Sequence, residues 1–216
     1  MKTFTIVPLL LFVLMVVAHS AIADDAKYVE AMKKNIDVLY AAKSIPELQS
    51  SVNTLERIGG AEKSKWEPFY YAAFGYILMA DKETDAAKKD NYLDLALKSV
   101  EKAKSINDKE SEIVAMEGFA LMIRVTVDPP TRGPQFAPMA MQTFGKAIGM
   151  NGENPRARAL LAQMQFGTAQ FFGSSTAEAC SMASSALEKY DTFKSDNPLA
   201  PVWGREMTEG LKKKCN

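Results

Sequence analysis

The chain reads as all-α: a right-handed superhelical stack of helix-turn-helix units closed by a C-terminal capping helix. Three observations predict this. One pattern of small and apolar residues occurs three times, as Ala96-x3-Val100-x2-Ala103, Ala140-x3-Phe144-x2-Ala147 and Ala179-x3-Ala183-x2-Ala186, the copies 44 and then 39 positions apart. A glycine inside a helical pattern, Gly75 and then Gly118, stands ahead of the first two copies. No run of useful length alternates with period two, so strands are not indicated. Self-similarity at such a period marks stacked helix pairs. Stacks of this kind build extended binding surfaces more often than active sites.

The elements follow in order. Lys2 is the single charge before Asp24, an apolar run extends from Phe4 to Ala18, and Ala21-Ile22-Ala23 has the small-x-small form of a cleavage site. Residues 1–23 therefore read as a signal peptide, with 24–216 as one exported domain. The apolar run falls short of the roughly 20 residues a bilayer span requires, which makes an uncleaved anchor the weaker alternative. In the domain, Val29, Met32, Ile36, Leu39 and Tyr40 share one helix face. Ser44-Ile45-Pro46-Glu47 is a capping box that opens a helix carrying Leu48, Val52, Leu55 and Ile58, ended by Gly59-Gly60. This first pair lacks the small-residue pattern and is expected to be a degenerate unit.

A helix from Trp66 to Ala80 is apolar almost all round, which predicts burial on most sides. The polar stretch Asp81 to Asp90 leads to a helix ending near Ile106. Asn107 is expected to cap the next helix, with Glu110 in its first turn and an end near Val127. The segment Asp128-Pro129-Pro130-Thr131-Arg132-Gly133-Pro134 predicts a break, and a helix from Gln135 to Met150 with Pro138 in its first turn. Asn154-Pro155 opens a helix bearing Leu160, Leu161, Met164 and Phe166. Ser175 and Glu178 suggest a second capping box, for a helix running to Phe193. After Asn197-Pro198, the residues Trp203, Met207, Leu211 and Cys215 recur every four positions on one stripe of a final helix.

That stripe turns Cys215 toward the body of the protein, where Cys180 can meet it. Two cysteines in an exported chain point to one disulfide, Cys180–Cys215; two buried thiols are the alternative. The sole histidine, His19, lies in the signal segment. Its position removes the commonest general base and metal ligand from the domain. Of 26 Lys plus Arg only Lys2 precedes Asp24, and all 26 Asp plus Glu lie from Asp24 onward, so the domain carries a charge near −1. That balance favours neither nucleic acid nor stable membrane attachment. No cofactor motif, metal-ligand spacing or paired-carboxylate setting stands out, and the domain reads as non-enzymatic.

The alanine triplets and first-helix small residues resemble the tetratricopeptide repeat over Trp66 to Phe193. In that family a small residue sits mid-way along the first helix, matched here by Gly75 and Gly118 and less well by Ala162. Alanine, a larger apolar residue and alanine lie along the second helix, with Ile106 and Met150 at the apolar position three further on. Small side chains let helices approach closely, and the larger one fills the gap between units. The signature tryptophan and tyrosine positions are poorly kept, and each unit is longer than the usual repeat. Thr131-Arg132-Gly133-Pro134, Phe171-Phe172-Gly173 and Pro201-Val202-Trp203-Gly204 further resemble features of small exported tetratricopeptide-like proteins of Bacteroidetes-type bacteria.

The family resemblance implies a partner held on the inner faces of the first helices. Carried over unit by unit, it selects Tyr76 and Met79, Phe119 and Met122, and Gln163 and Phe166. The implied function is a periplasmic or secreted scaffold that binds a protein or peptide segment on a concave face. The competing arrangement makes these residues core. Arg132, in the proline-rich break, is the candidate for a ligand carboxylate or phosphate. Two other functions remain open: a small-ligand or lipid carrier with a closed apolar cavity, and a carboxylate-dependent hydrolase using the Arg132 loop.

Overall fold

The computed structural model describes residues 25–215; the expected signal peptide lies outside them. Among the described residues there are nine helices and no strand. They are α1 (25–41), α2 (Ile45–Ala61), α3 (Glu67–Lys82), α4 (Ala86–Ile106), α5 (Ser111–Val125), α6 (Pro129–Met150), α7 (Pro155–Phe171), α8 (Ala177–Thr192) and α9 (Arg205–Lys213). From α2 onward each helix packs on the next, and α3, α5 and α7 also touch side by side. The first helices of the units therefore form an inner layer, with α4, α6 and α8 outside it. This is the right-handed all-α stack that the repeat predicts.

The packing reason is the expected one. All nine triplet residues are buried: Ala96, Val100 and Ala103; Ala140, Phe144 and Ala147; Ala179, Ala183 and Ala186. A Cβ on Gly118 would stand 2.5 Å from the Phe144 ring, so glycine is what lets α5 and α6 close around that ring. Gly75 is not its counterpart. A Cβ there would meet Val52 of α2 at 2.4 Å and Leu39 of α1 at 3.1 Å, so Gly75 opens the seam to the first pair instead. The α3 residue in register with Gly118 is buried Ala73, which directly precedes Phe74 as Gly118 precedes Phe119. The small position is thus Ala73, Gly118 and Ala162, and the expected Gly75–Gly118 pairing is corrected.

Helix starts follow their caps. Ser44 and Glu47 form the capping box of α2, and Asn154 accepts from the amides of Arg156 and Ala157 at the start of α7. Asp85 caps α4, so the linker ends there and not at Asp90. Glu110, not Asn107, caps α5; Asn107 ends α4. Thr176 precedes α8 without a side-chain cap, so the second capping box does not form.

The largest departure is in the proline-rich segment. It is the first turns of α6, with Asp128 as N-cap and prolines at the first helical positions, where no amide donor is needed. Pro134 and Pro138 continue inside the helix on its exposed face, where the carbonyls they leave unpaired meet water. The expected break around Arg132 does not occur, because α6 runs through it. Trp203 also falls outside the final helix, in the irregular segment that precedes it.

Candidate functional site

The inner layer is built around α3, of which Glu67 through Ile77 are all buried. Its all-round apolar surface is covered by α2, α4 and α5, and on the concave side by the chain between α8 and α9. Residues 194–204 have no helix and cross that face. The Asn197 side-chain amide donates to Glu67 Oε1 at 3.1 Å, and the Tyr71 hydroxyl donates to the Leu199 carbonyl at 2.7 Å. Leu199 and Pro201 are buried against the face.

Trp203 then stands between two phenylalanines of neighbouring units. Its ring is stacked on Phe74 at 4.8 Å between centroids and 19°, and on Phe119 at 5.5 Å and 22°. The indole Nε1–H donates to the Tyr70 hydroxyl at 3.1 Å. Near-parallel stacking on two phenylalanines of adjacent units makes the space the indole occupies against Phe74 and Phe119 a slot suited to a flat ring. Beside it, the Val202 side chain is 77% exposed.

Beneath the slot lies a buried ion pair. Arg156 Nε lies 2.9 and 2.8 Å from the two Glu112 carboxylate oxygens, and Nη2 donates to Oε1 at 2.7 Å. The Tyr70 hydroxyl donates to the same carboxylate at 3.4 Å, and Tyr28 donates to Glu67 at 3.1 Å. Burial works against the Arg156 charge, yet the bonds and attraction to Glu112 raise its pKa above the ordinary arginine value. Burial also raises the Tyr70 and Tyr71 phenols, so both remain protonated donors. The other face of Arg156 meets the Phe193 ring at 5.1 Å and the Tyr190 ring at 6.0 Å. Gly204, with φ +103°, approaches so closely that a Cβ would lie 2.2 Å from the Tyr190 hydroxyl and 3.3 Å from Arg156 Cγ. Only glycine fits there. Beyond it α9 is fastened by the disulfide Cys180–Cys215, Cα atoms 5.7 Å apart.

The residues selected from the sequence occupy different places. Phe119 is buried as one wall of the slot. Tyr76 is buried on the opposite side, near Glu56 and Gln49 of α2; Phe74 takes the α3 position facing Phe119. The reason is the register correction made at Gly118. Met79 is fully covered, Met122 and Phe166 are buried, and Gln163 is half-buried. Phe166 packs with Ala162, Ala179, Ala183 and Leu211 between α7, α8 and α9. Arg132 is part of an ion-pair cluster. It binds both Asp90 oxygens, with Nη2 to Oδ2 at 2.6 Å, and Arg124 adds a contact to Asp90 at 3.3 Å. The hydrogen bond from Arg132 holds the Asp90 carboxyl below its ordinary range, a setting unsuited to proton transfer at neutral pH.

Sequence reasoning passed over Phe74, Trp203, Glu112 and Arg156. A signal for three of them is present. Glu67-x6-Phe74 repeats as Glu112-x6-Phe119, 45 residues on, and Arg156-x6-Gln163 follows 44 later. The change from glutamate to arginine at the last copy creates the buried pair. A separate apolar feature is the edge-on pair Phe171–Phe172, 59% and 74% exposed at the end of α7.

No family model matches the chain, and no curated protein matches it. Among solved structures, the chain is similar to the HusA haemophore from Porphyromonas gingivalis. The likeness has a TM-score of 0.78 and 26% identity, over 87% of this chain and 92% of that one. A thermophilic TPR protein from Thermus thermophilus also matches, at a TM-score of 0.44 and 15% identity over 85% of this chain and 97% of that one.

Proposed function

We propose that this chain is an exported, non-enzymatic binding protein whose ligand is a tetrapyrrole such as haem. The observation that carries the reading is the likeness to a haemophore along nearly the whole of both chains. The concave face supports it, because parallel aromatic side chains from adjacent units stack well on a flat conjugated ring. Export rests on the reading of residues 1–23, and no described helix is long and apolar enough to cross a membrane.

With His19 as the sole histidine, the domain holds haem through its macrocycle and not by histidine ligation of iron. Titration of the protein lacking residues 1–23 with haemin and with metal-free protoporphyrin tests this. Both are expected to give saturable Soret changes, with dissociation constants within about tenfold of each other. No saturable change with either ligand rejects the reading.

One observation favours a second reading, capture of an extended peptide. Residues 197–203 are themselves an irregular segment lying on the concave face, bonded to Glu67 and Tyr71. Calorimetry with a synthetic tryptophan-containing peptide of that sequence, added to the protein, distinguishes the two. Binding of the peptide without binding of porphyrin favours the second.

A further inference from the structure

The chain from Phe193 to Gly204 leaves the repeat stack and returns to it at one place. Phe193 packs on Arg156, and the Gly204 backbone packs on Arg156 and Tyr190. A compact irregular segment whose ends meet on a single buried side chain is an Ω-like loop. Its path can change without unfolding α8, which precedes it, or α9, which the disulfide fastens to α8. Trp203 sits next to Gly204, which has positive φ and is packed on Arg156 and Tyr190, so rotation about the Trp203 backbone and side-chain bonds would carry the indole out of the slot while Gly204 stays anchored. The bonds that hold the loop down are few: Asn197 to Glu67, Tyr71 to Leu199 and Trp203 to Tyr70.

We propose that the space between Phe74 and Phe119 is the ligand slot, and that residues 197–204 are a strap that fills it in the unliganded protein, Trp203 standing where a planar conjugated ring stacks. This rests on the tetrapyrrole reading for the class of ligand, whereas the strap itself follows from the geometry alone. The exchange is balanced in kind. The incoming ring takes over both phenylalanine faces that Trp203 gives up, and the exposed Val202 side chain moves with the strap. The protein would then bind more weakly than its slot allows, since each ligand first displaces Trp203.

Trp203→Ala removes the occupant and leaves both walls in place. It is expected to bind haemin and protoporphyrin about tenfold more tightly than the natural chain, the factor corresponding to stacking contacts no longer broken. Asn197→Ala loosens the strap without touching the slot and is expected to tighten binding by a smaller factor, about threefold. It also serves as the folded check should Trp203→Ala lose helical structure. Phe119→Ala added to Trp203→Ala is expected to weaken binding again by at least about tenfold. Equal or weaker binding by both Trp203→Ala and Asn197→Ala overturns the slot assignment.

Thiol labelling of Leu199→Cys, with the native disulfide intact, reads the strap without any ligand. Leu199 is buried, so labelling requires opening. A labelling rate that is weakly dependent on denaturant and far above the rate of global unfolding supports the strap. Labelling through global unfolding alone overturns it. Failure of the natural chain to bind either porphyrin overturns the ligand class, whatever the labelling shows.

Discussion

Replacing Arg156 by methionine keeps most of the side-chain volume and removes the charge that neutralises Glu112. The two side chains are 2% and 7% exposed. The variant leaves a buried carboxylate with one weak donor, the Tyr70 hydroxyl at 3.4 Å. Breaking a buried pair from one side costs about 3–5 kcal/mol, because the surviving charge stays desolvated. Loss of the cation–π contact with Phe193 adds on the order of 1 kcal/mol. The total, about 4–6 kcal/mol, lowers Tm by at least about 8 °C in a domain of this length. Thermal and urea unfolding followed by circular dichroism at neutral pH measures it. The double variant Glu112→Leu with Arg156→Met is expected to recover at least half of the loss, since apolar replacement of a whole buried pair is close to neutral. A loss below about 1 kcal/mol for Arg156→Met alone, the value of an exposed pair, refutes the reasoning. Because both ends of the loop from Phe193 to Gly204 rest on Arg156, the same variant is expected to move Trp203 fluorescence toward that of a solvated indole.

Gly118→Ala and Gly145→Ala are expected to act with opposite signs, although both lie inside helices. The first drives a Cβ into the Phe144 ring and lowers stability by about 1 kcal/mol after its helix-propensity gain; the second has open space and raises stability by about 0.5–1 kcal/mol. Chemical denaturation of the pair decides it. Reducing Cys180–Cys215, a link across 35 positions, lowers stability by up to about 3–4 kcal/mol, read as a Tm difference with and without reductant. Asp90 has a folded pKa below its unfolded value of about 3.9, so its ion pair with Arg132 stabilises the fold above that pH and the contribution disappears as pH falls through the folded value. The partial exposure of the pair keeps the effect small. Asp90→Asn should therefore reduce stability slightly at pH 7 and not at all at the acid end of the unfolding profile.

Much of the stack is legible before any coordinates. The triplets identify the outer helices because a small side chain at a helix crossing is a local requirement of close approach, whatever surrounds it. The inner register is harder. Gly75 and Gly118 look equivalent because both are small, yet they admit different neighbours, Val52 and Phe144. The polar and aromatic spacing Glu67-x6-Phe74 and Glu112-x6-Phe119 carries the true register, and it is visible without a structure. The prolines of α6 mislead for a physical reason. A proline at a helix start or on a solvated face costs far less than one in a buried turn, and sequence alone does not distinguish them.

What the amino-acid order determined by itself is the set of helices and their pairing, and it placed Cys180 and Cys215 where one bridge can form. Each of these depends on side-chain size and periodicity within or between adjacent units. Tertiary structure alone decided what covers the concave face. The residues that meet there, Tyr70 and Trp203, are 133 positions apart, and Trp203 belongs to no repeat. No local periodicity encodes such a contact; it exists because a helix buried on all sides needs a partner on its last open face, and the nearest free chain supplies an indole.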